Sequence, residues 1–450
     1  MEESFKENKL GTQSIGKLLF TVSFPIMISM LIQALYNIVD SYYIGKISEE
    51  AFTAVSIAFP FQNIMVGIAV GTGVGMNSLL SRSLGEKDFN KVNKTAENGM
   101  FLTFAYSISL LILSFFIPQI YYKSQNVNAE IVNYGVDYLK IVMMFSFGFF
   151  MQIYCERLLQ STGRSVLTML TQGIGAIINI IFDPIFIFGY FGLPAMGVKG
   201  AALATVLGQS IGAVIGLFFN FKLNREVKIK GISFNLDIIK KIYIVALPSI
   251  IMITVTSSTI YFLNKMLGKF SSSAIAALGA YYKIQSFILM PVFGLNNGMV
   301  PIVAYNYGAE NRYRIIKTIK LAMLCAITMM FAGTVIMHIF PGQLLDIFSA
   351  SDEMKRIGIS MLRIISLSYV FAGISIVSGS VFQALGNGLL TLMDSVMRNI
   401  AIIIPYTFIV LHFNRLDLVW WGYLMSETAS LIYVAYYMKN FALKKIDVFK

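Results

Sequence analysis

The sequence predicts an all-α integral membrane protein with twelve transmembrane helices in two pseudo-symmetric six-helix lobes. The 450 residues are 56% hydrophobic and 13% charged, with a mean hydropathy of +0.71, whereas soluble domains are about 25% charged. Apolar stretches of about 20 residues, the length that crosses a bilayer core as a helix, recur along the whole chain. The second half also repeats the first at a constant offset. A surface of this composition needs lipid as its main solvent.

Twelve apolar stretches are each long enough to form a spanning helix. Strands of a membrane barrel would instead alternate in polarity over about ten residues, and these stretches show no such period. The first stretch is too long for a signal peptide, and no small-residue cleavage site follows it, so we expect a retained helix. The predicted spans are 18–44, 51–81, 95–118, 134–155, 165–189, 200–221, 242–264, 273–303, 317–340, 359–385, 389–411 and 417–438.

The distribution of basic residues predicts the orientation of the chain. The formal net charge is +12, and most of the 35 lysines and arginines fall in alternate loops, including 82–94, 222–241 and 439–450. Basic residues concentrate in cytoplasmic loops, so both termini are expected in the cytoplasm. The expected location is the inner or plasma membrane, crossed many times. The same distribution explains the net charge without a nucleic-acid partner.

An internal repeat divides the chain into two similar halves. Six spans per copy give both copies the same orientation, and rocking of two such lobes about a cleft would provide alternating access. The alternative is that the duplication reflects ancestry alone. We predict an amino-terminal lobe at 1–221, a cytoplasmic linker at 222–241 and a carboxy-terminal lobe at 242–450. An offset of 223 aligns, without a gap, Pro25 with Pro248, Gly71 with Gly294, Gly85 with Gly308, Pro118 with Pro341 and Gln160 with Gln383.

Two carboxylates break the symmetry of the repeat in the first half. A charged side chain inside a membrane usually faces a cavity or a partner. Asp40 and Asp183 both lie roughly 7–9 Å below the outer ends of their spans, at 1.5 Å per residue, so we expect them to meet. The aligned pairs are Asp40 with Leu263, Asn179 with Ile402, and Asp183 with Tyr406.

Helical spacing places further polar side chains on the faces that carry these carboxylates. Two carboxylates in a low-dielectric pocket cannot both stay ionised without a counter-ion, so we expect a site for a coupling cation, H⁺ or Na⁺. Asn179 and Tyr36 would assist. The alternative is that the carboxylates only hold helices together. The two polar faces comprise Gln33, Tyr36, Asn37 and Asp40 on the first span, and Gln172, Asn179 and Asp183 on the fifth.

Several other conspicuous residues have structural as well as functional interpretations. Pro25 removes a backbone hydrogen bond from the first span, which could couple a bend to Asp40. Its match to Pro248, in the half without the carboxylate, favours a static kink. Asp394 and Arg398 are spaced i, i+4 and are predicted to neutralise one another. The 25 methionines could line a deformable pocket, although lipid-facing filler explains most of them.

Five local sequences together resemble the multidrug and toxic compound extrusion (MATE) family, and the resemblance covers essentially the whole chain. It implies a V-shaped, MATE-like fold of twelve helices, most similar to the DinF-like, MepA-like branch. The NorM-like branch places carboxylates in its seventh and tenth helices, which this chain lacks, so a second-lobe ion site is not expected. The segments are LYNIVDSYYIG, SRSLGEKD, NIIFDPIFIFG, GVKGAALAT and VPIVAYNYGA.

The resemblance implies a secondary active multidrug efflux transporter that exports organic, often cationic, compounds by antiport with H⁺ or Na⁺. The expected partners are small-molecule drugs or toxic compounds and membrane lipids, with the chain acting as a monomer and needing no cofactor beyond the coupling ion. Asp40, Asn179 and Asp183 correspond to the family's cation cluster, and Pro25 to its kinking proline. Candidate cavity residues are Gln33, Asn37, Gln62, Thr205, Met65 and Met290.

Two alternatives stay open at this point. A lipid-linked precursor flippase of the same superfamily would share the architecture, but it usually has a strongly basic cavity. A membrane-embedded enzyme would need converging catalytic residues. The two histidines and two cysteines show neither a nucleophile–base arrangement nor metal-ligand spacing, so no enzyme activity and no metal site other than for Na⁺ are expected.

Overall fold

A computed structural model describes residues 8–125, 127–268, 272–348 and 350–449. All regular secondary structure in these ranges is helical, which confirms the predicted all-α class. Apolar side chains cover the outer surfaces of the long helices, and Leu35, Ile38 and Phe59 are each more than half exposed. Such apolar surfaces are favourable in contact with lipid, because removing apolar area from water lowers the free energy.

The described residues of the first half of the chain form nine α-helices. A 3₁₀ turn at Tyr190–Gly192 separates the last two. The helices are α1 Lys9–Thr12, α2 Ile15–Gly45, α3 Glu49–Gly85, α4 Phe89–Leu113, α5 Ile117–Lys123, α6 Ala129–Met144, α7 Ser146–Ser161, α8 Ser165–Phe188 and α9 Val198–Leu223.

In the second half, the part of the chain that the structure describes forms ten α-helices, together with two π-helical segments at Met397–Ile402 and Met438–Leu443. A 3₁₀ turn lies at Leu416–Leu418. The helices are α10 Leu236–Leu267, α11 Ser272–Gly308, α12 Arg312–Ile339, α13 Pro341–Asp346, α14 Asp352–Ser366, α15 Tyr369–Ala384, α16 Gly388–Val396, α17 Ile403–His412, α18 Trp421–Tyr437 and α19 Lys444–Ile446.

The predicted count of twelve spans is met only in part. In the described chain, nine helices are long and apolar enough to cross a membrane, or eleven if each of two bent pairs counts as one. The bent pairs are α6 with α7, at 48°, and α14 with α15, at 51°. The predicted span 417–438 corresponds to α18, which has 17 residues. At 1.5 Å per residue α18 extends about 26 Å, slightly less than a ~30 Å hydrocarbon core.

The described residues form two units, which do not coincide with the predicted lobes. One unit comprises Ile28–Tyr243, and the other comprises the residues before and after it. Ser23 of α2 explains the grouping of the first residues, because its hydroxyl donates to the Leu295 carbonyl of α11 at 3.2 Å. A Cβ on Gly298 would lie 2.7 Å from the Ser23 Cα, so glycine permits this approach. The predicted lobe boundaries come from the sequence repeat, whereas the two units are defined by contacts between residues. The lobe boundaries therefore stay a prediction.

Local backbone features recur 223 positions apart. Lys87 and Glu310 both adopt the left-handed conformation, with φ of 58° and 55°. The residues that follow them, Asp88 and Asn311, cap α4 and α12 by accepting a backbone N–H three positions on. These matching turns indicate that the two copies share a backbone frame. Gly163 and Gly386 form a third pair, with φ of 79° and 80°.

Candidate cation site

Glycines bring α8 and α9 into close contact beside the predicted site. A Cβ on Gly208 would lie 2.5 Å from the carbonyl oxygen of Gly175 and 3.2 Å from the Cβ of Asn179. Only a residue without a side chain allows the two backbones to approach this closely. The contact places Thr205, one turn before Gly208, within reach of Asn179.

The Asn179 amide links both helices to the buried carboxylate. Its Nδ2 donates to the Thr205 hydroxyl at 3.3 Å and to Asp183 Oδ1 at 3.4 Å. Asn179 is 3% exposed and Asp183 is fully buried. Because both amide hydrogens have acceptors, Asn179 can offer only its carbonyl oxygen to a further ligand.

Three buried oxygen atoms at this position lack a donor. Asp40, on α2, interacts electrostatically with Asp183 on α8. In the described part of the chain, Asp40 Oδ1, Asn179 Oδ1 and Asp183 Oδ2 have no hydrogen-bond partner. Buried polar atoms are nearly always satisfied in native proteins. A proton or a metal cation bound among these oxygens would satisfy them.

Tyr36 and two glutamines border the carboxylates. Tyr36 has a side-chain hydrogen bond with Gln33 and interacts electrostatically with Asp40 and Asp183. Gln33 Oε1 in turn accepts from Gln172 Nε2 at 3.2 Å. The polar faces predicted on the first and fifth spans are therefore in contact with each other.

Tyr138 of α6 belongs to the same group, and the sequence-based reasoning missed it. Its ring is 2% exposed, and it interacts electrostatically with Asp40 and Asp183. Its hydroxyl accepts from Gln62 Nε2 at 3.2 Å, which connects the cavity candidate Gln62 to the site. Tyr138 aligns with Met361 at the repeat offset, so the comparison of halves that selected the carboxylates would also have found it.

Three other predicted residues lie elsewhere. Met65 is 3% exposed and packs in the hydrophobic core of its unit. Asn37 is exposed, and Met290 belongs to the other unit. Pro25 lies within α2, two residues before the chain passes from one unit to the other.

Asp394 and Arg398 interact electrostatically, as predicted, but no ion pair within 4 Å joins them in the described residues. Arg398 Nη1 instead lies 3.5 Å from Glu427 Oε2, and Asp394 Oδ1 accepts from Ser430 Oγ at 2.5 Å. Arg398 falls in the π-helical segment Met397–Ile402, where the wider turn changes the angular offset between positions i and i+4. Lys283, on α11, has its Nζ 5.6 Å from the centre of the Phe348 ring.

The chain is similar to known transporters over nearly its full length. The MatE family model matches it twice, at residues 25–185 and 248–409. The multidrug export protein MepA of Staphylococcus haemolyticus (strain JCSC1435) is 26% identical over 439 residues, which cover 95% of this chain and 94% of that protein.

Two solved structures share the fold. An outward-facing multidrug resistance MATE family transporter of the MOP superfamily aligns with a TM-score of 0.90 at 24% identity, covering 100% of this chain and 99% of that one. A MOP superfamily transporter from Pyrococcus furiosus Vc1 (DSM3638) aligns with a TM-score of 0.89 at 23% identity, with the same coverage. The binding pocket of the latter is described as having reverse polarity, suggesting a different function.

Proposed function

The chain belongs to the MatE family and is a multidrug efflux transporter rather than an enzyme, and we propose that it couples export of organic, often cationic, compounds to entry of H⁺ or Na⁺ at Asp40, Asn179 and Asp183. The observation that supports this proposal is the convergence of three buried oxygen acceptors without donors. Hard cations take oxygen ligands, and a proton can be shared by two carboxylates. Either ion would offset the cost of burying two negative charges.

Cation binding would change the packing between α2 and α8. Asp40 and Asp183 repel one another when both are ionised, and a bound cation turns that repulsion into attraction. Because α2 continues past Met27 into the other unit, a change in its position at Asp40 would reach both units. This continuity is the physical basis that we propose for coupling.

Competition for the same carboxylates would give antiport. A cationic substrate near Asp40 and Asp183 is attracted by their negative charge, and a coupling ion that neutralises them removes that attraction. Two ligands that oppose each other in this way are linked reciprocally. We propose Gln33, Asn37, Gln62 and Thr205, which share one unit with the carboxylates, as contacts for the organic part of the substrate, and Pro25 as the place where α2 bends. Met65, which packs in the core of that unit, and Met290, in the other unit, stay predictions from the sequence.

A flippase for anionic lipid-linked precursors is the second candidate function. An anionic head group would require basic side chains, whereas Asn179, Tyr36 and Tyr138, which interact with Asp183 or with both aspartates, carry amide and phenol groups. This chemistry favours cations over anions. Export of cationic compounds therefore accounts for the site better than the transport of an anionic lipid.

The test uses the purified full-length chain in liposomes with separately imposed pH and Na⁺ gradients, scoring ethidium efflux. We expect Asp40→Asn and Asp183→Asn to abolish the response to the coupling gradient, because each removes one ionisable carboxylate. Glu86→Gln, at a loop carboxylate, is the matched control and should show the parental response of efflux to the gradient. Parental efflux by both aspartate variants would refute the coupling site. No response of the parent to either gradient would favour the flippase.

The chain is a multi-pass membrane protein that transports small molecules. We propose that it resides in the cell membrane with both termini in the cytoplasm, as the basic loops predict. We further propose that it acts as a monomer surrounded by membrane lipid and has no nucleic-acid partner. In place of a cofactor it would use H⁺ or Na⁺ as the coupling ion.

A further inference from the structure

A third carboxylate of the first half, Glu156 on α7, is buried without an ion pair in the described chain. Glu156 and Gln152 are each 8% exposed, and Gln152 Nε2 donates to Glu156 Oε1 at 3.0 Å. The neighbouring guanidinium of Arg157 donates to Gln160 at 2.9 Å and packs against Gly73. Arg157 and Cys155 are the ionisable groups that interact electrostatically with Glu156.

Glu156 and Asp183 belong to the same group of packed helices, α7, α8 and α9, but lie near opposite ends of it. Glu156 lies five residues before the end of α7, and Asp183 lies five residues before the end of α8. A single turn joins the end of α7 to the start of α8, so the two carboxylates lie near opposite ends of the unit, each roughly 8 Å from its helix end. The basic loops predict that the Glu156 end faces the cytoplasm.

Gln152 lies between the two carboxylates, where α7 meets α8 and α9. A Cβ on Gly212 of α9 would lie 2.8 Å from the Gln152 Cδ, and a Cβ on Gly175 of α8 would lie 3.8 Å from its Nε2. Asn179 is one turn beyond Gly175 on α8. Polar side chains therefore lie on both sides of this helix contact, with Asn179 and Asp183 toward one end and Gln152 and Glu156 toward the other.

The repeat contains a counterpart of this position that lacks a carboxylate. At the repeat offset, Glu156 aligns with Gly379 and Gln152 with Ser375. Thr168 Oγ1 donates to the Glu156 carbonyl at 3.4 Å, and its counterpart Thr391 donates to the Gly379 carbonyl at 2.9 Å. The second half thus builds the same backbone contact without an acid.

The burial of Glu156 limits what it can bind. A bulky organic substrate cannot reach a side chain held inside three packed helices, whereas a proton or Na⁺ can. We propose that Glu156 and Gln152 form a second binding station for the coupling cation, which receives the ion after it leaves Asp183 and Asn179 and delivers it to the cytoplasmic side. This inference rests on the proposed coupling function and extends it to a second site.

The test compares Glu156→Gln with the parent in liposomes, under pH and Na⁺ gradients applied separately. The amide keeps the size of the side chain and its contact with Gln152 but cannot take up a proton. Under the gradient that drives efflux in the parent, pH or Na⁺, we expect ethidium efflux by the variant to fall at least about tenfold. Ethidium exchange without a gradient should stay within about twofold of the parent, because exchange does not require the ion to cross. Glu86→Gln again serves as the control.

Different outcomes separate this inference from the proposed function. Loss of coupling in Asp40→Asn and Asp183→Asn with parental efflux in Glu156→Gln would overturn the second station alone. Retained coupling in the aspartate variants would overturn the proposed function. Should Glu156→Gln fail to insert, Glu156→Asp retains a carboxylate on a shorter stem. It is expected to show slowed efflux that still responds to the gradient, and efflux at the parental rate would count against the station.

Discussion

A single hydroxyl at position 205 determines how the Asn179 amide is held. Thr205→Val keeps the volume of the side chain but removes the acceptor for Asn179 Nδ2. Losing one such hydrogen bond costs about 1 kcal/mol, so the coupling-ion concentration that half-saturates efflux should rise about fivefold.

The matched control is Thr205→Ser, which restores the acceptor and should restore the parental value. The measurement is ethidium efflux across a series of pH or Na⁺ concentrations. Equal shifts in the two variants would show that the hydrogen bond is not responsible.

Glu86, in the turn after α3, allows a prediction about pH. Burial raises the pKa of Glu86, but hydrogen bonds and charges from Lys91 and Arg82 outweigh burial, so its pKa lies below the ordinary value. A carboxylate with a lowered pKa stabilises the fold above its unfolded-state pKa, and that stability is lost as pH falls through the folded-state pKa.

We therefore expect Glu86→Gln to lower the Tm by roughly 1–2 °C at pH 7. The difference should shrink as the pH falls below about 4, where the parental carboxylate takes up protons. Thermal unfolding of the detergent-solubilised chain at both pH values measures the effect. An equal difference at both would indicate that the carboxylate charge contributes nothing.

Residues of the candidate cation site, and of the proposed second station, could be predicted to different extents. Asp40, Asn179 and Asp183 could be selected because each lies in an apolar span and aligns, at the repeat offset, with an apolar or aromatic residue of the other half. Glu156 was harder to recognise. It stands beside Arg157, and such a neighbour suggests a neutral pair at a helix end. Consecutive residues point about 100° apart around a helix, and the structure shows that Arg157 packs against Gly73 of α3 while the Glu156 carboxylate accepts from Gln152.

Among the secondary-structure elements, the α8–α9 pair depends most on the absence of a side chain. Gly208→Ala would place a Cβ 2.5 Å from a backbone oxygen of Gly175, and a backbone cannot yield as a flexible side chain can. We expect a loss of about 1–3 kcal/mol in unfolding free energy, with weaker ion coupling because Asn179 is displaced from Thr205.

Gly279→Ala is the control for this substitution. Gly279 lies within α11 and has no neighbour within 4 Å of an added Cβ, so alanine should be neutral or slightly stabilising in a helix. Thermal unfolding and gradient-driven efflux are measured for both variants. Equal Tm values would contradict the importance of the close contact.

The bends between α6 and α7 and between α14 and α15 are features that mean hydropathy does not predict. The predicted spans 134–155 and 359–385 each contain a break, at Phe145 and at Leu367–Ser368. Neither break falls at a proline or a glycine, the residues that usually signal one. Mean hydropathy over a window predicts that a stretch crosses the membrane, but not that it changes direction by about 50°.

For the whole molecule, the repeat predicted the backbone frame but not its packing. Matching turns such as Lys87 with Glu310 follow from similar local sequences, because turn geometry depends on neighbouring residues. The grouping of residues before Ile28 with the second half depends on contacts nearly 300 positions apart. No local pattern in the sequence specifies such contacts.

The orientation of the whole molecule can be tested by labelling single cysteines. In a chain with Cys155→Ala and Cys325→Ala, Leu193→Cys lies between the fifth and sixth predicted spans and Ile232→Cys lies in the linker, and both positions are exposed. A membrane-impermeant thiol reagent applied to intact cells should label the first, and should label the second only after permeabilisation. The reverse pattern would place the termini outside.

The hydrogen bond between Ser23 and Leu295 joins residues 272 positions apart, so it can form only after a delay during synthesis. At translation rates of about 5–20 residues per second, Ser23 is made roughly 15–55 s before its partner. During that interval the beginning of α2 must stay in the bilayer without its final contacts. Biogenesis of the chain therefore includes a late docking step, in which a helix inserted first completes its packing among the last to be synthesised.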